Sequence, residues 1–222
     1  MIFRVRLVCP TLKTIANKFN ICSPTGVLFV AKAQAIAVTG QTVLGLLADN
    51  IPKSEFANAR FELYQTANFS SPMEEGISLF LYRVEVNSSL RNLPIKTGLD
   101  GITRRPPLPL DLYYLLTVWA KDAVKQQRIL GWAMRTLEDS PILSAGRLNH
   151  FGTETDVFQP NETVEIIFQT MTLQDLTNLW GAFKISVPVS VAYIARVIGI
   201  DSTISAEQSA PVQTRELDFA NI

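Results

Sequence analysis

Two stretches decide the fold: LFLYRVEVNSSLRN (79–92) and RRPPLPLDLYYLLTVWA (104–120). Each holds an apolar run of strand length, and a polar connection with several prolines and glycines joins them. From residue 77, the even positions Phe80, Tyr82, Val84 and Val86 are all apolar. The odd positions begin apolar, at Ile77, Leu79 and Leu81, then turn charged at Arg83 and Glu85. A strand apolar on both faces at one end belongs in the middle of a sheet, covered on two sides there and exposed on one side further along. The second run repeats the pattern, with Leu110, Leu112, Tyr114, Leu116 and Val118 on one face. The connection between them, about two dozen residues, exceeds any tight turn. Ordered loops of that length are usually functional or interfacial.

Outward from this block, 32–49 reads as a helix, with Ala33, Ile36, Ala37, Val43, Leu44 and Leu47 near helical spacing. Gly40 and Gly45 weaken that pattern. A short strand is expected at 59–64, then a polar turn around Ser70, Ser71 and Pro72. The spacing predicts a helix over 121–139, with Ala123, Leu130, Met134 and Leu137 on one face, ended by Ser140-Pro141. A polar loop is expected at 146–160, then a strand at 163–170 with Val164, Ile166 and Phe168 on one face. Thr172 begins a short helix with Asp175 three residues on, in capping-box fashion. Its apolar stripe is Leu173, Leu176, Leu179 and Trp180. Residues 187–200 form a β-branched strand, and 201–222 are a polar tail. This order predicts an α/β fold: a single domain with a mixed β-sheet and flanking helices. The divisions are an N-terminal extension (1–31), the domain (32–200) and a C-terminal tail (201–222).

The chain has 222 residues, 47% of them hydrophobic, enough for one domain with a sizeable core. Lys plus Arg and Asp plus Glu are 20 each, giving zero formal net charge. Nucleic-acid binding needs an excess of cations to neutralise phosphates, so no nucleic-acid partner is expected. Cys9 and Cys22 are too few for a disulfide framework, and with the single distant His150 they make no zinc set. No run of about 18 apolar residues suggests a transmembrane helix. The first acid is Asp49, after Arg4, Arg6, Lys13, Lys18 and Lys32. The apolar stretch 21–31 is broken by Ser23, Pro24, Thr25 and Gly26, which makes a poor signal peptide.

The chain shows no phosphate-binding glycine loop, nucleophile elbow or metal-spaced cluster. His150 falls in a polar loop, and the adjacent carboxylates Glu74-Glu75 and Glu138-Asp139 read as solvated charge. No catalytic residue, metal or cofactor is expected, and the chain is read as not an enzyme. Arg104-Arg105-Pro106-Pro107 is different. Two guanidiniums beside a rigid Pro-Pro unit can fork onto a carboxylate of another chain. The alternative is pairing with the chain's own Asp100 or Asp111. Asp111 lies in an apolar strand and needs a partner if buried.

Five blocks, in order, resemble the cap or tail-terminator proteins of phage-tail-like contractile injection systems. They are LYRVEVNSSLRN (81–92), RPPLPLDLYYLLT (105–117), ILGWAMRTLEDSPIL (129–143), LTNLWGAF (176–183) and SVAYIARVIGI (190–200). The resemblance covers about 33–200, and the ending RELDF (215–219) is also similar. Residues 184–189, KISVPV, depart from the family pattern. The resemblance implies a fold similar to phage tail terminators and a structural role. The chain would form a homo-hexameric ring that ends the inner tube and contractile sheath away from the baseplate. It would assemble in the cytoplasm, within a particle either membrane-anchored or released. The expected assembly contacts are the connection 87–109 and the tail, with Arg91, Asn92, Arg104, Arg105, Pro106, Pro107, Arg215, Glu216, Leu217 and Phe219 as candidates. No membrane contact is indicated, although the basic N-terminus leaves a membrane-anchored variant open. The other alternative is a stand-alone adaptor.

Overall fold

The computed structural model describes residues 31–91, 96–97, 103–154, 156–182, 188–202 and 204. In chain order the elements begin with α1 (Ala35–Asn50), β1 (Arg60–Tyr64), a 3-10 turn (Thr66–Ser70), β2 (Gly76–Val86), β3 (Lys96–Thr97) and β4 (Thr103–Arg104). There follow β5 (Leu108–Trp119), α2 (Ala123–Glu138), β6 (Ile142–Ser144), α3 (Ala145–Phe151), β7 (Thr163–Gln169), α4 (Leu173–Ala182) and β8 (Ser190–Ile200). Six strands make one sheet in the order β1-β2-β5-β8-β7-β6. β1 runs parallel to β2, and every other neighbouring pair is antiparallel. The sheet is therefore mixed, and β2 and β5 are internal, as expected.

Each face of the sheet carries its own core. One face packs Ile77, Leu79, Leu112, Leu116, Val118 and Ile198 against the helices, through Val38 and Leu47 of α1, Ile129, Ala133 and Leu137 of α2, and Leu148 of α3. The other face packs Leu115 and Ala192 against Phe69 of the 3-10 turn and Trp180 of α4. Phe69 sits edge-on to Trp180 at 5.1 Å and to Phe80 at 5.3 Å, the geometry the ring quadrupoles favour. The helical start expected at Thr172 is present. The Asp175 N–H donates to Thr172 Oγ1 at 3.1 Å, and that hydroxyl donates to the Asp175 carboxylate at 2.6 Å.

Several expectations are corrected. The two glycines that weakened α1 mark close packing. A Cβ on Gly45 would lie 2.2 Å from the Phe151 ring, and one on Gly40 would lie 2.9 Å from Leu63. The buried stripe of α2 is Ile129, Ala133 and Leu137, while Ala123 is exposed in the first turn. The stripe of α4 also begins late, since Leu173 is 78% exposed. The polar stretch 146–160 contains most of α3, so exposed His150 lies in a helical last turn. The segment after α3 is braced by one side chain. Asn149 Oδ1 accepts the N–H groups of Val157 and Phe158 at 3.1 and 2.9 Å, and its Nδ2 donates to Phe158 O at 2.8 Å.

The most consequential correction concerns β2. Its pairing with β5 shifts between Leu81 and Arg83, a β-bulge that inserts one residue and swaps the faces beyond it. Leu81 pairs with Tyr114, Val84 with Leu112 and Val86 with Leu110, so all three lie on the helix side. Arg83 and Glu85 pair with Tyr113 and Asp111 and take the opposite side. Phe80 and Val84, read as one face, are on different faces. At the other end of the chain's first described segment, Ala31 is fully buried and bridges Ile200. Its N–H donates to Gly199 O at 3.1 Å, and the Asp201 N–H donates to Ala31 O at 2.9 Å. Ala31 thus packs with the sheet.

Candidate functional site

The connection between β2 and β5 is an arm. β2 and β5 are antiparallel neighbours, and the chain between them leaves their shared end and pairs with itself. Lys96 pairs with Arg104 and Thr97 with Thr103, a two-stranded sheet separate from the main one. At the root, the Asn87 N–H donates to Pro109 O at 2.9 Å, closing the main ladder. Pro109 has no N–H to return, so the ladder stops there. The Asn87 side chain then turns the strand into the arm. Its Oδ1 accepts the Ser89 N–H at 3.2 Å, an Asx turn.

The same side chain reaches back into the sheet. Asn87 Nδ2 donates to Asp111 Oδ2 at 3.1 Å. The other oxygen, Asp111 Oδ1, accepts the Val197 N–H at 3.1 Å. Val197 stands in a second bulge, where Leu110 pairs with Ile198 but Leu112 pairs with Ala195. Its φ is +63°, a left-handed conformation that a β-branched residue rarely adopts. A buried carboxylate without a cation is tolerable when hydrogen-bond donors surround it. Among the described residues, Asp111 takes an amide and a backbone N–H as partners. The sequence had offered Arg104 or Arg105.

A second cluster lies on the open side of the sheet next to the root. The Arg83 guanidinium is 4.6 Å from the Tyr113 ring centroid and ion-pairs with Glu85. The Tyr113 hydroxyl donates to Glu85 Oε2 at 2.7 Å. That hydrogen bond, followed by the Arg83 contact, holds the Glu85 carboxyl below the usual carboxylate range. Between this cluster and α4 lies a cleft of about 380 Å³ lined in part by Tyr82, Tyr113, Met171 and Leu179.

Of the expected contact residues, Arg91 and Arg105 are exposed, and Pro106 and Pro107 are half-buried at the return of the arm. Arg104 belongs by its backbone to β4. Arg91 and 104–107 thus all belong to the connection between β2 and β5. Asn92, Arg215, Glu216, Leu217 and Phe219 lie outside the described residues, as does Asp100. Sequence reasoning missed Asn87 and Val197. Asn87 directly after an alternating strand was the available signal for a turn; nothing in the sequence marks Val197. The adjacent carboxylates have partners: Glu74 pairs with Lys121 at 2.9 Å, Glu75 with Lys125 at 2.7 Å, and Asp139 with Arg135. Among the described residues no cluster of His, Cys, Asp and Glu could hold a metal ion. No helix among them is long and apolar enough to cross a membrane.

The fold is shared with a solved assembly protein. The chain superposes on the PVC sheath/tube terminator of an extracellular contractile injection system, determined by cryo-electron microscopy in the extended state, with a TM-score of 0.59 and 13% identity. The match covers 84% of this chain and 64% of that one, so the chain spans about two thirds of the terminator's length at most. The anti-feeding prophage tube-terminating cap also matches, with a TM-score of 0.45 and 20% identity over 78% of this chain and 59% of that one. No curated protein matches the sequence. Residues 39–214 match the Pvc16 N-terminal domain model, and the chain belongs to that family.

Proposed function

We propose that this chain is the terminator of a contractile injection particle, forming a ring that ends the inner tube and sheath away from the baseplate. The observation that carries this reading is the family match over residues 39–214. The fold shared with a sheath/tube terminator supports it. The partners are then further copies of this chain, six to a ring, and the tube and sheath subunits. The role is structural, with no catalysis and no cofactor, and assembly takes place in the cytoplasm. A ring-former needs head-to-tail contacts that close on themselves. The arm, fixed at its root, supplies one half of such a contact, and Arg91 and Arg105 give it exposed guanidiniums for carboxylates on a neighbour.

The test is genetic and structural together. Particles made without this chain are expected to vary widely in length or to lose their sheath, and the intact chain supplied in trans should restore uniform length. Particles of unchanged length and stability without it would overturn the reading.

A further inference from the structure

β2 outruns its neighbour. β1 ends at Tyr64, opposite Phe80, while β2 continues to Val86. Along 81–86 one edge of β2 pairs with β5, and no described residue pairs with the other. The Asn87 N–H points at β5, where it meets Pro109 O. In an antiparallel ladder the alternation then aims the peptide groups of Glu85 at β5 and those of Val84 and Val86 outward. Both valines are also exposed, by 43% and 41%, because the bulge at Tyr82 places them on the helix side beyond the packed core. No lysine or proline guards the stretch LYRVEV. Outward N–H and C=O groups beside apolar side chains are what an added strand pairs with.

We infer that the edge of 81–86 left unpaired among the described residues receives residues 216–219 of a second copy of this chain as an added β-strand. After Ile204 the sequence alternates apolar and charged in one place, Glu216-Leu217-Asp218-Phe219. Such a segment sets Leu217 and Phe219 beside Val84 and Val86 and leaves its acids on the open side of the sheet. Between Ile204 and Glu216 lie eleven residues, enough for about 35 Å of extended chain. The strand comes from a second copy for a topological reason. β8 and β2 both end at the pole where the arm leaves, so the chain's own tail would have to cross the arm connection to reach the β2 edge. Connections at one end of a sheet do not cross in this way. The inference rests on the ring reading for its choice of partner.

The experiment uses full-length chains with Cys9→Ser and Cys22→Ser. One carries Val86→Cys and the other Leu217→Cys, and the two are mixed and oxidised. A disulfide-linked dimer is expected in the mixture. A chain carrying both cysteines that links only within itself, with no dimer in the mixture, would overturn the inference in favour of the chain's own tail. Mass photometry gives the second readout. Val86→Pro removes an outward N–H and no bond to β5, and Leu217→Asp with Phe219→Asp leaves the described domain untouched. Each is expected to weaken self-association at least tenfold while the circular-dichroism melt stays close to the parent's. Both variants assembling like the parent would overturn the inference and leave the ring reading standing. A parent monomeric at all concentrations, with no cross-link, would overturn both.

Discussion

The carboxylate of Asp111 holds the backbone N–H of Val197 at 3.1 Å, bridging the start of β5 to a left-handed residue in β8. The other oxygen of the carboxylate takes Asn87, at the foot of the arm. One side chain therefore ties a strained bulge to the root of the arm. Asp111→Ala leaves a donor on each side without its acceptor, and a loss of about 1–3 kcal/mol is expected in urea denaturation. Val197→Gly tests the strain itself. Relief of about 1–2 kcal/mol from the left-handed conformation offsets the lost packing, so this variant should match or exceed the parent. Val191→Gly, in a regular part of the same strand, should lose stability. Equal losses for the two glycine variants would contradict the strain.

Gly76 opens β2 with φ +144°, and a Cβ there would meet Arg60 O at 2.0 Å. The contact is with the backbone of the parallel neighbour, which cannot turn aside. Gly76→Ala is expected to cost at least about 3 kcal/mol by opening the β1–β2 pair. Hydrogen exchange should show the loss first in β1, and a variant as protected as the parent would contradict this geometry.

Asn149 makes three hydrogen bonds to residues 157 and 158. At about 1 kcal/mol each, Asn149→Ala should cost about 3 kcal/mol in thermal or urea unfolding. Asn149→Asp keeps both accepting contacts but sets a carboxylate oxygen against Phe158 O, where the amide donated at 2.8 Å, so its loss should shrink at low pH as the carboxyl gains a proton to donate there. A loss independent of pH would show that the donated bond contributes little.

All five tyrosines ionise above their ordinary range. Burial is the main cause for Tyr64, Tyr82, Tyr114 and Tyr193, and the bond to Glu85 is the main cause for Tyr113. Burial pushes the Tyr193 hydroxyl up to about 12. A group whose pKa rises on folding stabilises the fold below its unfolded value, about 10 for tyrosine, and that contribution is lost as pH climbs toward the folded value. Phenolate absorbance should therefore appear above the range seen in denaturant, with stability falling from about pH 10 upward. A native titration that overlays the denatured one would contradict the burial.

Much of the scaffold was legible because its patterns are local. β5 alternates without interruption, so Leu110 through Val118 declared their shared face. The capping at Thr172 and Asp175 follows from two residues three apart. β2 was misread where pairing overrides pattern. Its even positions look like one apolar face, but the bulge after Leu81 passes the helix-side face from odd to even positions. The pattern held a clue: Ile77, Leu79, Leu81, Val84 and Val86 become one unbroken apolar face once a single residue is inserted. α3 was hidden because its seven residues bury only Ala145 and Leu148, too little for a visible period. The arm was legible as a long excursion between two strands from its length and prolines. Its root was not, because Asn87, Asp111 and Val197 are brought together only by the register of three strands.

The most direct test of the terminator reading is where the chain sits on the particle. The chain, tagged at its C-terminus and gold-labelled, would be examined on intact contractile particles by electron microscopy. Label is expected at one end only, opposite the baseplate, on nearly every extended particle. Label at the baseplate, along the sheath, or absent from particles of normal length would contradict it.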